Sequence, residues 1–237
     1  MIGDDVPGHR VGELLRGQRI DFLHDVDPAG TQRHVNLMDQ RGQRISIYLC
    51  DGTFEPVFQR EPIVQAIARA DLVVLNIRNY CRHLIPDIQA HGKPIWVDIH
   101  DYDGRATYHH DFITAADYLF ASSQSLPDHR SFMERMIASG KNLAVCTHGA
   151  GGATALTGDG QWIECPIVDA YPVVDTNGAG DAFFAGYLHG HCRGEPVRRC
   201  MELATLCAGL CVSSHELHGD RLDGALLDAE HRRHYGG

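Results

Sequence analysis

The sequence predicts an α/β fold, a three-layer α/β/α sandwich with a mostly parallel central sheet and a small additional β hairpin. Three observations predict it. Short, almost continuously apolar segments alternate with helical patterns through the middle of the chain, which is typical of parallel strands buried on both faces. Two other segments alternate around turn residues, as hairpins do. Beyond residue 178 the pattern is helical almost to the end.

Four apolar segments in the middle of the chain are predicted to be strands. A helical pattern follows each of the first three, and Gly140 ends the last of these helices. Pro86 interrupts the first helical pattern, where it either breaks the helix or starts it. The predicted strands are 71–77, 94–100, 117–122 and 142–149, and the helices between them are 78–92, 105–116 and 128–140.

Two segments interrupt this rhythm and are predicted to be hairpins. Residues 31–51 alternate in polarity around a turn at Gln40–Gln43, which indicates that one side faces solvent or a ligand. Residues 151–165 form the second hairpin, with its turn at Gly158–Gly160. After them, residues 195–215 read as a helix with Pro196 in its first turn. Its apolar stripe consists of Val197, Cys200, Met201, Ala204, Cys207, Ala208 and Cys211.

The bulk composition excludes several classes of protein. The 237-residue chain has a formal net charge of −10, which argues against nonspecific nucleic-acid binding. It has no apolar run long enough for a membrane span and no secretion signal at its start. Eight cysteines without a CxxC pair are typical of a reduced cytoplasm. We therefore expect a cytoplasmic protein without nucleic-acid or membrane partners.

A glycine turn before a helical pattern carries the main chemical signal. The first amides of a helix lack internal partners, and small residues at Gly178, Ala179 and Gly180 would let a phosphate approach them. Asp181 follows directly, and its carboxylate would repel that phosphate. Its presence at this position therefore needs a separate explanation. One explanation is that it acts as a general base toward an attacking hydroxyl. The alternative is helix capping, and this short string by itself leaves both open.

The wider pattern favours the role of general base. The run from Asp175 to Phe183, with Gly186 after it, resembles the C-terminal signature of the ribokinase-like (PfkB-type) carbohydrate kinases. The resemblance implies that Asp181 is the catalytic base and that the three residues before it supply the anion hole. Phe183, Phe184, Tyr187 and Leu188 repeat at helical spacing and are predicted to lie in the core.

The resemblance extends over most of the chain. It implies one ribokinase-like domain over residues 1–237, with a lid hairpin around residues 31–50 through which a homodimer could form. Some features are similar to ketohexokinases. Relatives carry a strand, an acidic sugar contact and a Gly-Gly segment before the Gly-Asp-Asp that stands here at residues 3–5. We therefore expect an N-terminally incomplete chain, from a downstream start or a truncated gene. A chain of this length would expose a strand edge and lose stability or activity.

A second matching segment implies a nucleotide site. Thr147, Gly149, Gly151 and Gly152 fit the family's TxGxxG loop at the end of a strand, where α/β sheets bind ligands. Arg78 resembles an arginine that approaches the nucleotide phosphates in ketohexokinase-like members, although an exposed arginine is an equal alternative. The implied cofactors are ATP and Mg²⁺.

The residues that would bind a monovalent cation or Mg²⁺ are not settled by the family resemblance. Asp175 and Asn177 match positions that help to bind a monovalent cation such as potassium, but Asp175 could equally cap the loop. Family members place an Asn-x-x-Glu motif after the third predicted strand to organise the water around Mg²⁺. This chain has Ser122–Ser125 there, without a carboxylate. No metal ligand is therefore assigned.

Together these residues predict an ATP-dependent kinase that transfers the γ-phosphate to a hydroxyl of a sugar or sugar derivative. Two alternatives remain within the same fold: a catalytically inactive relative that binds a nucleotide or sugar, and a nucleoside or vitamin kinase. An oxidoreductase that uses a dinucleotide is less well supported, because no GxGxxG follows an early strand.

Overall fold

The computed structural model describes residues 1–38, 44–215 and 222–236. The chain divides into two compact units. The first consists of Met1–Val73 and Arg78–Pro94, and the second of Val74–Ile77 and Ile95–Gly237.

In its described residues, the first unit contains three α-helices and an antiparallel strand pair. Asp5 caps the first helix by accepting a hydrogen bond from the amide of Gly8. The strands form the predicted hairpin, in which Val35 faces Ile47; the predicted turn at Gln40–Gln43 lies outside the described residues. The elements are α1 (Val6–Gly17), β1 (Arg33–Met38), β2 (Arg44–Cys50), α2 (Arg60–Arg69), a 3-10 helix (Asn79–Leu84) and α3 (Ile85–Ala90). Pro86 lies in the first turn of α3, so it starts this helix.

The main sheet has six strands in chain order, and it is mixed. Its strands are β3 (Val73–Val74), β4 (Ile95–Asp98), β5 (Tyr118–Ser122), β6 (Leu143–Thr147), β7 (Ala153–Thr157) and β8 (Trp162–Cys165). The β4–β5 and β5–β6 pairs are parallel, whereas β6–β7 and β7–β8 are antiparallel. The connections after β6 and β7 are too short to return a chain for parallel pairing. The predicted α/β class and the small hairpin sheet are thus confirmed, and the strands predicted as a hairpin at 151–165 add the antiparallel part of the central sheet.

Several predicted elements are shorter than their patterns. The strand predicted over 71–77 keeps two residues, and the helix predicted over 105–116 is a 3-10 turn, Thr107–His109, followed by α4 (His110–Ala115). The next helix, α5 (His129–Ala138), ends before Gly140, which has a φ of 97°. The sequence patterns continue beyond the residues whose backbone hydrogen bonds define each strand or helix, so the predicted elements were too long.

Two helices near the C-terminus pack closely because a glycine lies where they touch. These are α6 (Ala179–Cys192) and α7 (Val197–Val212), followed by α8 (Gly224–Tyr235). A side chain at Gly186 would meet the Cβ of Cys207 at 2.7 Å and the Cα of Ala204 at 2.9 Å. Pro196 is the N-cap residue of α7 and lies just outside its first turn. Phe183, Phe184 and Tyr187 are buried as predicted.

The cysteines of the predicted apolar stripe are buried, as expected. All eight cysteines are free, and Cys200, Cys207 and Cys211 are buried in α7. Burial raises the pKa of Cys200 and of Cys207 to about 11. These thiols behave as small core side chains. None of the described helices combines the length and the apolar character that crossing a bilayer requires.

Candidate active site

The start of α6 presents open backbone amides. Gly178 has the left-handed φ of 75° and is the N-cap residue. The Ala179 and Ala182 amides donate to the carbonyls of Thr176 and Gly178. For the amide of Gly180, no hydrogen bond is found within the described part of the chain, and a Cβ added there would meet no atom within 4 Å. This helix end therefore has the space and the polarity to receive an anion.

Asp181 stands in the first turn of α6 with an exposed side chain. Across residues 1–38, 44–215 and 222–236, no hydrogen bond or ion pair to its carboxylate is found. Capping therefore does not occupy this carboxylate, which is open to receive a proton.

Asp98 is a second carboxylate within electrostatic reach of Asp181, and sequence reasoning missed it. It ends β4 and accepts a hydrogen bond from the His100 amide at 2.8 Å. Burial raises the pKa of Asp98, and the negative charges of Asp181 and Asp101 act in the same direction. A polar residue that ends a strand at the carboxyl edge of a parallel sheet is the signal that could have revealed it.

The loop before α6 is fixed by local hydrogen bonds. The Asn177 amide donates to Oδ1 of Asp175 at 2.8 Å. The amides of Val174 and Asp175 donate to the carbonyl of Val212 at 2.7 and 3.1 Å, which ties the loop to the end of α7. The Cys211 thiol lies 3.4 Å from the Asn177 carbonyl oxygen. Asp175 thus makes the loop-capping contact that its sequence position left open.

The predicted nucleotide loop follows β6 in the same unit. The His148 amide donates to the Gly152 carbonyl at 2.8 Å, and the Gly151 amide donates to the His148 carbonyl at 3.0 Å. Gly149 has a φ of 55°. Gly152 has a φ of 85°, and a Cβ there would lie 2.3 Å from the Cys165 carbonyl oxygen. Only glycine fits this position, and the amide of Gly152 also donates to the Gly149 carbonyl at 3.1 Å, so the loop is a tight turn with few side chains.

The remaining predicted residues make contacts other than those that the family resemblance implies. Arg78 belongs to the first unit, where its guanidinium donates to the Asp51 carbonyl at 2.7 Å. In the segment Ser122–Ser125, the Gln124 amide donates to Oγ of Ser122 at 3.2 Å. No group of three or more His, Cys, Asp or Glu side chains in the described residues is arranged to hold a metal ion.

The family model described as "pfkB family carbohydrate kinase" matches residues 1–221. This chain belongs to the pfkB family of carbohydrate kinases. The chain is 30% identical over 233 residues to acarbose 7(IV)-phosphotransferase from Actinoplanes sp., covering 96% of this chain and 77% of that protein. It is 25% identical over 215 residues to fructoselysine 6-kinase from Escherichia coli, covering 90% of this chain and 81% of that protein.

Solved structures of pfkB-type kinases are similar in fold. A microbiome-derived acarbose kinase has a TM-score of 0.82 and 30% identity, with 96% of this chain and 78% of that chain covered. Ribokinase from Arabidopsis thaliana, solved with ribose and ATP, has a TM-score of 0.75, and 91% of this chain and 75% of that chain are covered; at 20% identity this likeness concerns the fold alone. The protein is thus an ATP-dependent phosphotransferase that acts on a hydroxyl of a sugar or sugar derivative.

Proposed function

We propose that Asp181 is the general base of this kinase and that the start of α6 is its anion hole. The exposed carboxylate of Asp181, without a partner among the described residues and beside the open Gly180 amide, carries the proposal. Asp181 takes the proton of the sugar hydroxyl as its oxygen attacks the γ-phosphorus of ATP, and the bond to the β-phosphate oxygen breaks. The backbone at Gly178, Ala179 and Gly180 stabilises the charge on the transferred group.

The nucleotide is proposed to bind through Thr147, Gly149, Gly151 and Gly152. Support comes from the tight turn at the carboxyl end of β6. Mg²⁺ neutralises phosphate charge when it is bound. Its ligands are proposed to be ATP phosphates and water, since Mg²⁺ retains much of its hydration.

A monovalent cation is a separate part of the proposal. Asp175 and Asn177 hold the loop before α6 through their own hydrogen bond, and a potassium ion near this loop would support the same conformation. Turnover measured in potassium and in tetramethylammonium at equal ionic strength tests it. Equal rates would remove the cation from the proposal. Chelation with EDTA should abolish turnover, and Mg²⁺ should restore it.

The decisive experiment replaces the base. We expect Asp181→Asn to lower turnover about 10²- to 10⁴-fold while ATP binding is retained. Asp169→Asn, at an exposed position outside the site, is the matched control and should turn over like the native enzyme. Isothermal titration with ATP and circular dichroism separate loss of catalysis from loss of fold. Native turnover in Asp181→Asn would remove the residue from its role.

The acceptor is proposed to be a modified sugar. Its support is the pair of relatives named for phosphorylation of acarbose and of fructoselysine, both with most of their length matched. An ATP-consumption screen over amino-sugar oligosaccharides, glycated amino acids, simple hexoses and nucleosides tests this class. Preference for a nucleoside would support the alternative kinase of the same fold. ATP binding without transfer to any acceptor would support an inactive relative.

We further propose a homodimer through the β1–β2 hairpin in the cytoplasm. Four apolar side chains on one face of this hairpin are between 44% and 70% exposed: Val35, Leu37, Ile45 and Ile47. Exposed apolar faces of this kind favour association. Light scattering should show a dimer, and Ile45→Lys should give a monomer, whereas Ser46→Lys on the opposite face should not. A monomeric native chain would contradict the proposal.

The eight free cysteines suit a reducing compartment. Cell fractionation with an antibody to the native protein tests the cytoplasmic location, and recovery in an exported fraction would contradict it.

A further inference from the structure

His148 bridges two hydroxyl groups at the foot of the glycine turn. It follows β6 directly. Its Nδ1 lies 2.9 Å from Oγ of Ser123, and its Nε2 lies 2.8 Å from Oγ1 of Thr154. Ser123 follows β5, and Thr154 lies within β7. One imidazole therefore connects three neighbouring strands at the edge of the sheet where the glycine turn lies.

The direction of these hydrogen bonds follows from Glu164. The Thr154 hydroxyl donates to Oε2 of Glu164 at 2.5 Å, because an ionised carboxylate only accepts. Thr154 has no second proton to donate, so it accepts from Nε2–H of His148. In the neutral ring, Nδ1 then carries no proton and accepts from the Ser123 hydroxyl. The network thus selects the Nε2–H form for the neutral His148 ring.

The far end of this network is held in place. The Arg130 guanidinium forms an ion pair with Oε1 of Glu164, and it also lies over the Trp162 ring, 4.5 Å from the ring centroid. Thr154 is 1% exposed, so its hydroxyl depends on these protein partners rather than on water. The contacts of Thr154, Glu164 and Arg130 therefore fix the orientation of the imidazole at its Nε2 side.

The bridge also connects two backbone segments. The Ser123 amide donates to the Thr147 carbonyl at 2.9 Å, and the His148 amide donates to the Gly152 carbonyl. The His148 ring adds a side-chain tie from the turn at 147–152 to the Ser122–Ser125 segment. A change in the charge of this ring is therefore transmitted to the turn through direct contacts.

The charges that face His148 disfavour its protonation. Burial lowers the pKa of His148, and the neighbouring His129 on α5, with its ring centroid 4.5 Å away, acts in the same direction when it is charged. Arg130 on α5 also lowers this pKa, whereas Glu164 on β8 raises it. A second N–H would also turn the Ser123 hydroxyl from donor to acceptor. Neutral His148 and this loop conformation thus support each other.

We propose that His148 is a positioning residue that holds the loop 147–152 in its nucleotide-binding form only while its ring is neutral, so that ATP binding weakens in acid. The proposal rests on the nucleotide-binding role proposed above for this loop. The residue is not a catalytic residue, because its contacts are to the protein rather than to reacting atoms.

The first test measures the tautomer in the native protein and needs no variant. Two-bond ¹H–¹⁵N correlation spectra of the histidine rings should show His148 as the Nε2–H form at neutral pH. Its titration should lie below the ordinary value of 6.5. The His148→Gln spectrum assigns the signal. An Nδ1–H form, or a charged ring at neutral pH, would overturn the proposal.

The second test compares the pH dependence of the KM for ATP. Gln at position 148 can donate and accept hydrogen bonds but does not titrate. Between about pH 7.5 and pH 5.5, the KM for ATP should rise about threefold more in the native enzyme than in His148→Gln. Protonation of ATP itself is common to both enzymes and cancels. The kcat at saturating ATP should differ little between the two at each pH.

His129→Gln provides the matched control. It removes a neighbouring charge and keeps the His148 ring, so the rise in KM should move to higher pH rather than disappear. Parallel KM curves for the native enzyme and His148→Gln would overturn the role of His148.

A backbone ¹H–¹⁵N spectrum with ATP distinguishes the nucleotide-binding role of the loop from the positioning role of His148. Shifts at the Gly149 and Gly151 amides would show that the loop binds nucleotide, so that parallel KM curves would then count against His148 alone. Unshifted amides would remove the nucleotide role of the loop, and the proposal with it.

Discussion

Asp5 accepts two hydrogen bonds from Thr31, a residue 26 positions later in the chain. The Thr31 amide donates to Oδ2 at 2.9 Å, and its hydroxyl donates to Oδ1 at 2.5 Å. Oδ1 also accepts from the Gly8 amide at the start of α1, and Oγ1 of Thr31 accepts from the Gly3 amide, both at 2.9 Å. The carboxylate thus joins a helix start to the chain that leads into β1.

This relationship predicts a loss of stability in acid. The hydrogen bonds, led by that of the Thr31 hydroxyl, lower the pKa of Asp5 from 3.8 to about 2. Its contribution is therefore complete above 3.8 and is lost as pH falls toward 2. The melting temperature of Asp5→Asn should lie below that of the native protein above this window and converge with it inside the window. Asp4→Asn should follow the native curve, and a constant offset of Asp5→Asn down to about pH 2 would contradict the prediction.

Gly186 should be intolerant of even one added methyl group. Its Cβ would lie 2.7 Å from the Cβ of Cys207 and 2.9 Å from the carbonyl oxygen of Leu203, so α6 and α7 must separate. We expect Gly186→Ala to lower the free energy of unfolding by about 1–3 kcal/mol in urea. Gly12→Ala in α1 is the control, because its Cβ meets only the Arg16 side chain at 3.8 Å. It should be neutral or stabilising, and equal effects of the two changes would refute the packing argument.

A methyl group at Gly180 should lower activity without lowering stability. Among the described residues outside the backbone of α6, a Cβ there meets no atom within 4 Å, so Gly180→Ala should fold at least as stably as the native chain. The same methyl group would occupy the space beside the open amides, and turnover should fall about tenfold or more. Urea unfolding and a coupled ADP assay measure the two quantities. Native turnover in this variant would show that no phosphate approaches this helix end.

Lys141 should be important for stability although it is distant from the chemistry. It is 6% exposed, and its Nζ donates to the Ala116 carbonyl at 2.8 Å and to the Ile113 carbonyl. These carbonyls belong to the end of α4, where no intrahelical donor is available. Lys141→Met should lower the free energy of unfolding by about 1–3 kcal/mol. Lys93→Met serves as the control at the other lysine, and a similarly small loss in both variants would exclude this capping role.

Much of the fold was predictable because its signals are local. The strands β4 to β8 and the helices α6 and α7 follow from apolar periodicity, which depends on residues a few positions apart. The glycine turn before Asp181 was predictable for the same reason, since a left-handed residue at Gly178 and small neighbours are a short-range requirement. The family resemblance then supplied the chemistry, and the family comparison confirmed it.

The sequence by itself thus determined the element types, the turn residues and the kinase family. Only the tertiary structure decided that β7 pairs antiparallel with β6, that Asp98 lies within electrostatic reach of Asp181, and that His148 bridges Ser123 and Thr154. These relationships join residues from separate elements. They depend on how the strands and helices pack, and the free energy of that packing is shared by many weak contacts that no short pattern encodes.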